Sequence, residues 1–167
     1  MNDTTTLALI QQFLNYLTDE RHFSPYTGRC YGLDLRQFVD FIESKGGIKV
    51  DLEKERKALE ARSTGTDTVT GRILKCDVDM IREFLAKLGE QKYSAATMAR
   101  KIATLRSFHK WMERKQLTPT NPMVLIRTPK QAKRLPKAIS VEQIERLLSA
   151  PDDTEILGAR EIGRAHV

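Results

Sequence analysis

Apolar and polar positions alternate along this chain with helical spacing almost throughout. Leu7, Ile10, Phe13, Leu14 and Leu17 form a first apolar stripe, with Thr5 or Thr6 placed to cap a helix that ends near Arg21-His22. Ser24-Pro25 restarts the chain, Ser as N-cap and Pro at the first helical position, where its missing N–H costs nothing. This second helix is expected to reach about Ser44 and to bury Tyr31, Leu35, Phe38, Phe41 and Ile42 before Lys45-Gly46-Gly47 ends it. Gly28 and Gly32 weaken it by about 1 kcal/mol each relative to Ala. They share one face, which either admits a neighbouring backbone or simply tolerates them. Asp77 caps a third helix with Val78, Ile81, Phe84, Leu85 and Leu88 inward, closing at Gly89 or the polar run after it. Ser94 caps a fourth, with Met98, Ile102, Leu105, Phe108, Met112 and Trp111 on the core side. Thr97, Arg100, Lys101, Thr104, Ser107 and Lys110 make its outward face, which carries no acid.

Residues 48–76 fit this pattern least. Positions 51–62 suit a short charged helix, the run STGTDTVTG reads as loop, and the whole looks like an insertion without chemistry of its own. Pro119, Pro122, Pro129 and Pro136 then break helix formation, so residues 117–138 are expected to be extended. Ser140-Val141-Glu142-Gln143 fits a capping box, and Ile144, Leu147 and Leu148 open a new amphipathic helix that Pro151 punctuates. The expected fold class is all-α: a four-helix bundle over 1–116 with an insertion at about 46–76, a linker over 117–138, and the start of a second domain over 139–160.

Charge changes the picture more than composition does. With 167 residues, 40% hydrophobic and 30% charged, the chain is globular rather than disordered. No apolar run approaches the ~20 residues of a membrane span, and the N-terminus lacks the basic region of a secretory signal. Cys30 and Cys76 have no C-x-x-C partners, which suits a reduced, cytoplasmic compartment. His22, His109 and His166 lack metal-ligand spacing, so neither metal nor cofactor is expected. The total charge of +6 is unevenly placed, however: residues 93–137 hold eleven cations against the single acid Glu113. A block of that kind suits a polyanion, and a helix that presents Arg, Lys, Ser and Thr fits the DNA major groove. The bland reading of the same block is a solvated charge run.

Three motifs in register give the chain a family resemblance. Ser24, Pro25, Thr27, Tyr31, Asp34, Leu35 and Phe38 resemble the second helix of Xer-type tyrosine recombinases of the phage-integrase family, and residues 94–112 resemble their fourth. The strap N-P…P-K…K-R-L-P-K followed by S-V-E-Q-I-E-R-L-L resembles the junction into their catalytic domain. The likeness covers residues 7–45 and 77–160. It implies a SAM-like core-binding domain, half of a C-shaped clamp on double-stranded DNA with helices two and four against the major groove. By that likeness Thr27, Arg29, Thr97, Arg100, Lys101, Thr104 and Lys110 are the candidate DNA contacts, with Lys130, Lys133, Arg134 and Lys137 along the strap. Arg106, at the edge of the core face, is placed to brace the domain from within instead. The intact protein would work with other recombinase protomers.

The resemblance also implies chemistry that none of these residues supplies. The family needs an Arg, a Lys, a His-x-x-Arg pair, a second His or Trp and a Tyr that attacks a phosphodiester, all in the catalytic domain. Tyr16, Tyr26, Tyr31 and Tyr93 all precede the second domain, so no catalytic residue is assigned and the chain itself is not expected to be an enzyme. Residues 161–167, EIGRAHV, resemble an in-frame translation of sequencing-library adapter DNA, and the expectation is an artefactual tail on a truncated gene, the alternative being a natural, short, unstructured tail. Two rival readings are a free-standing helical DNA-binding regulator and a protein-interaction bundle whose basic strap docks an acidic partner.

Overall fold

The second, third and fourth predicted helices each open at the polar residue that the sequence marks for them. Ser24 Oγ accepts from Thr27 N at 3.2 Å, Asp77 Oδ1 from Met80 N at 2.8 Å and Ser94 Oγ from Thr97 N at 3.2 Å. The computed structural model describes residues 6–128 and 139–150. The chain divides into two units, Met1–Gln131 and Ala132–Val167. All regular structure among the described residues is helical.

In the first unit α1 spans Ala8–Asn15 and continues through a π-helical turn, Tyr16–Glu20. Its N-cap is Leu7 with no side-chain cap, which corrects the expected Thr cap: Thr6 lies one residue too early, and Thr5 is outside the described residues. The wide turn leaves His22 at φ 53° and lets Phe23 N reach back to Leu17 O at 2.9 Å. Helix α2, Pro25–Gly46, starts on the predicted Ser-Pro pair and stops where Gly47 adopts φ 61°. Gly28 and Gly32 meet side chains, not backbone: a Cβ there would stand 3.9 Å from Thr18 Cγ2 and 3.4 Å from Leu14 Cδ1.

The inserted segment is more ordered than its loop-like sequence suggests. It holds α3, Leu52–Glu60, and α4, Val69–Leu74. Glu55, only 2% exposed, accepts from Val69 N and Thr70 N, both at 2.7 Å, and so satisfies the free N–H groups at the start of α4. Gly71 is required by its neighbours, because a Cβ there would sit 2.2 Å from the Gly65 carbonyl oxygen. Val69, Ile73 and Leu74 join the common core.

Helix α5 spans Val78–Glu90 and α6 spans Ala95–Arg114. Phe13, Phe38 and Phe108 are wholly buried at the centre. Phe13 meets Phe108 edge-on at 5.2 Å, and Phe38 meets Phe84 at 5.0 Å. Each such side chain contributes about 1.5–3 kcal/mol of burial. Trp111, 3% exposed, lies 5.5 Å from Phe13 in the core, as its position beside the apolar stripe predicts. His109 is also in the core, against Phe38 and Phe108, and neither ring nitrogen has a partner among the described residues.

The strap is not extended from its start. Asn121 caps a 3-10 turn, Pro122–Leu125, and Met123 and Ile126 are buried against the core. Arg106 holds this return from within, donating from Nη2 to Ile126 O at 2.9 Å and from Nη1 to Thr128 Oγ1 at 3.1 Å. Proline stops α-helix here, yet apolar side chains still draw the backbone onto the bundle. Residues 129–138, including Lys130, Lys133, Arg134 and Lys137, lie outside the described residues.

In the second unit, α7 spans Val141–Leu148. The predicted capping box is present: Gln143 N donates to Ser140 Oγ at 3.3 Å, and Ser140 N to Gln143 Oε1 at 3.1 Å. Val141, Ile144 and Leu147 are exposed. Residues 151–167, with the suspected tail, lie outside the described residues.

Candidate nucleic-acid interface

Helices α2 and α6 begin alike. Ser24-x-x-Thr27 and Ser94-x-x-Thr97 each place a Ser N-cap one turn before a Thr, and the two hydroxyls pair at 2.9 Å and 3.0 Å. Thr27 and Thr97 therefore complete helix starts, at the end where the N–H groups and the helix dipole favour an anion. Both are half-buried rather than fully exposed. Arg29 on α2 and Lys110 on α6 are exposed.

Where α2 and α6 face each other, two residues expected on the outward face of α6, Lys101 and Thr104, are turned inward. Asp34 of α2, 3% exposed, accepts from Lys101 Nζ at 3.0 Å and from Thr104 Oγ1 at 2.9 Å. Arg100 Nη1 donates to the same carboxylate and lies 3.4 Å from Cys30 O. Lys101 Nζ also donates to Gln37 Oε1 at 2.6 Å and stands 5.0 Å from the centre of the Tyr93 ring. Lys101 and Thr104 are buried, with their polar atoms committed inward, so in this structure they are internal braces rather than outward contacts. A buried carboxylate needs this company, since an unpaired charge in the interior is costly. Arg100 differs: its side chain is 41% exposed, one edge on Asp34 and the rest toward solvent.

This cluster has a sequence signal, because Asp34 lies beside Tyr31, Leu35 and Phe38 on the buried stripe of α2. An acid on an apolar face calls for a cation from the element packed against it. Burial, then the Asp34 carboxylate, pushes the Tyr31 phenol above its ordinary range, while Arg100 pulls the other way.

The outward arc of α6 is made by other residues. Ala96 and Ala103 are exposed, Ala99 and Ser107 are half-buried, and Arg100 and Lys110 flank Ala103 and Ser107. Small side chains along a helix allow its backbone close to another surface, while the flanking cations supply the reach. Among the described residues no group of His, Cys, Asp and Glu is arranged to hold a metal.

Residues 10–70 and 49–116 match the profile of the phage integrase N-terminal SAM-like domain. The chain belongs to this family. The two matched stretches overlap over 49–70, which includes α3. Among related sequences, this member of the phage integrase family is 34% identical over 152 residues to tyrosine recombinase XerC of Oceanobacillus iheyensis, covering 91% of this chain and 42% of that protein. It is 31% identical over 151 residues to XerD of Halalkalibacterium halodurans, covering 90% and 43%. With XerD of Listeria monocytogenes the identity is 32% over 161 residues, covering 96% and 45%. The chain thus spans less than half the length of these relatives. No solved structure gives a significant match. No helix among the described residues is long and apolar enough to cross a membrane.

Proposed function

We propose that this chain is the DNA-binding N-terminal part of a site-specific tyrosine recombinase, gripping duplex DNA with the outward side of α2 and α6. The observation that carries the reading is the arc of α6, where small residues lie between the exposed Lys110 and the half-exposed Arg100. The start of α6 at Thr97 belongs to that surface, and Arg29 and the helix start at Thr27 extend it onto α2. Arg presents a planar fork to guanine edges or phosphate, and N–H groups at helix starts favour phosphate. Lys101 and Thr104 act in this reading as supports for Arg100. Lys130, Lys133, Arg134 and Lys137 continue the basic track along the linker, and residues 139–160 begin a second, catalytic domain.

In the intact protein, this half would hold DNA for strand exchange with other recombinase protomers in the cytoplasm. The chain itself would bind without cutting, since the family's nucleophilic Tyr belongs to the catalytic domain. A salt titration of duplex binding, read by anisotropy, tests the reading. Neutralising ~5 phosphates gives a log-log slope near −4.5, whereas a slope near zero rejects the electrostatic clamp. Arg100→Ala should weaken binding by about 1–3 kcal/mol and relax base preference.

A further inference from the structure

A second cationic feature lies at the other end of α6. A cleft of about 110 Å³ is lined by Tyr16, Leu17, Arg21, Phe23, Ser107, Lys110, Trp111 and Arg114. Three of these are cations and none is an acid. Arg21, Lys110 and Arg114 have no carboxylate within 4.0 Å among the described residues, whereas the neighbouring Lys115 lies 3.8 Å from Glu20. Arg114 Nη1 lies 3.5 Å from the Tyr16 hydroxyl, which links the π turn to the end of α6. Trp111 is 3% exposed, and its Nε1–H has no acceptor among the described residues. A neighbouring cleft of about 460 Å³ offers a contrast: it sets Asp19 and Glu20 beside Arg62 and Lys115, a balanced lining that does not select an anion.

We propose that the smaller cleft seats one backbone phosphate of the bound duplex, with Arg21 and Arg114 as its principal ligands beside Lys110 and Ser107. Three unneutralised cations and a hydroxyl around a space of this size offer an anion charge-assisted donors from several directions. The π turn is what brings Arg21 to α6, so the wide turn becomes part of the binding surface rather than an irregularity. The inference rests on the DNA-binding reading and continues the arc past Lys110 to Arg114 and Arg21. Such a contact fixes register on the duplex without reading sequence.

Trp111 is the sole tryptophan, so its emission reports on this cleft. The test uses the whole 167-residue chain and a duplex oligonucleotide, following anisotropy and Trp111 emission across a salt series. The comparison is between R21Q/R114Q and the charge-matched surface pair K49Q/K57Q. In the expected result, duplex shifts Trp111 emission in the unaltered chain, and R21Q/R114Q abolishes that shift and reduces the salt slope by about one. K49Q/K57Q leaves both effects in place. Duplex binding whose slope is the same in R21Q/R114Q as in the unaltered chain overturns the phosphate seat and leaves the α2–α6 reading standing. If the unaltered chain binds no duplex at any salt, both readings fall. Circular dichroism of R21Q/R114Q, together with retained binding at low salt, separates loss of the seat from loss of the fold.

Discussion

The Asp34 carboxylate receives the Lys101 ammonium at 3.0 Å, with both side chains less than a tenth exposed. A charge pair so placed stabilises little on balance, because desolvation offsets attraction, but removing one member strands the other. Asp34→Ala should cost about 3 kcal/mol in chemical denaturation. Asp34→Leu combined with Lys101→Met should recover most of that loss. A single-mutant cost below about 0.5 kcal/mol would show that the cluster is solvated, contrary to its burial.

His109 predicts an acid-sensitive core. Burial pushes its imidazole down to about 4, from an ordinary 6.5. Below 6.5 the unfolded chain takes a proton that the folded chain refuses, so stability falls as pH drops from 6.5 toward 4 and is unaffected by this group above that window. At about 1.4 kcal/mol per pH unit the loss approaches ~3 kcal/mol. His109→Phe should flatten the profile of unfolding free energy across that window, and an unchanged profile would assign the acid sensitivity elsewhere.

Glu55 predicts a local weakness. In Glu55→Gln one carboxylate oxygen becomes an NH₂ group that faces Val69 N–H or Thr70 N–H, donor against donor. The expected cost is about 1–3 kcal/mol, with amide exchange accelerating first at Val69 and Thr70. Uniform acceleration across the whole bundle would instead mean that the inserted helices unfold only with the rest.

The backbone at Lys92 offers a gain. It adopts φ 52°, and its side chain is exposed. Lys92→Gly should raise stability by about 0.5–1 kcal/mol, relief of left-handed strain exceeding the added freedom of the unfolded chain. Arg62 also adopts positive φ, at 49°, but donates from Nη1 to Gln116 O at 3.2 Å, so the same change there should gain less. Equal gains at both positions would count against a role for that hydrogen bond.

The sequence makes the apolar stripes and the caps at Ser24, Asp77, Ser94 and Ser140 legible, because both arise from local spacing. The family match over 10–70 and 49–116 agrees with the resemblance those motifs carry. What escapes local spacing is pairing across the fold. Lys101 and Thr104 look outward on a lone helix, and it is Asp34 of α2, with Gln37 beside it, that turns them inward. Glu55 hides similarly within a charged run, since its partners are backbone groups fourteen and fifteen residues away. The return of Met123 and Ile126 to the core was masked by the surrounding prolines, which forbid α-helix without forbidding burial.

The arc of small residues on α6 also sets a length. Arg100 and Lys110 are ten positions apart on a straight helix, which spaces their attachment points by about 15 Å. The rise of duplex DNA is about 3.4 Å per step, so on the proposed reading, with α6 laid along the duplex, the two cations would bracket roughly four base pairs. Between them, Ala103 and Ser107 offer no side chain long enough to probe a groove deeply. On the proposed reading α6 would work as a calliper: its two jaws would set where along the duplex it settles, and the bases between them would remain free to vary.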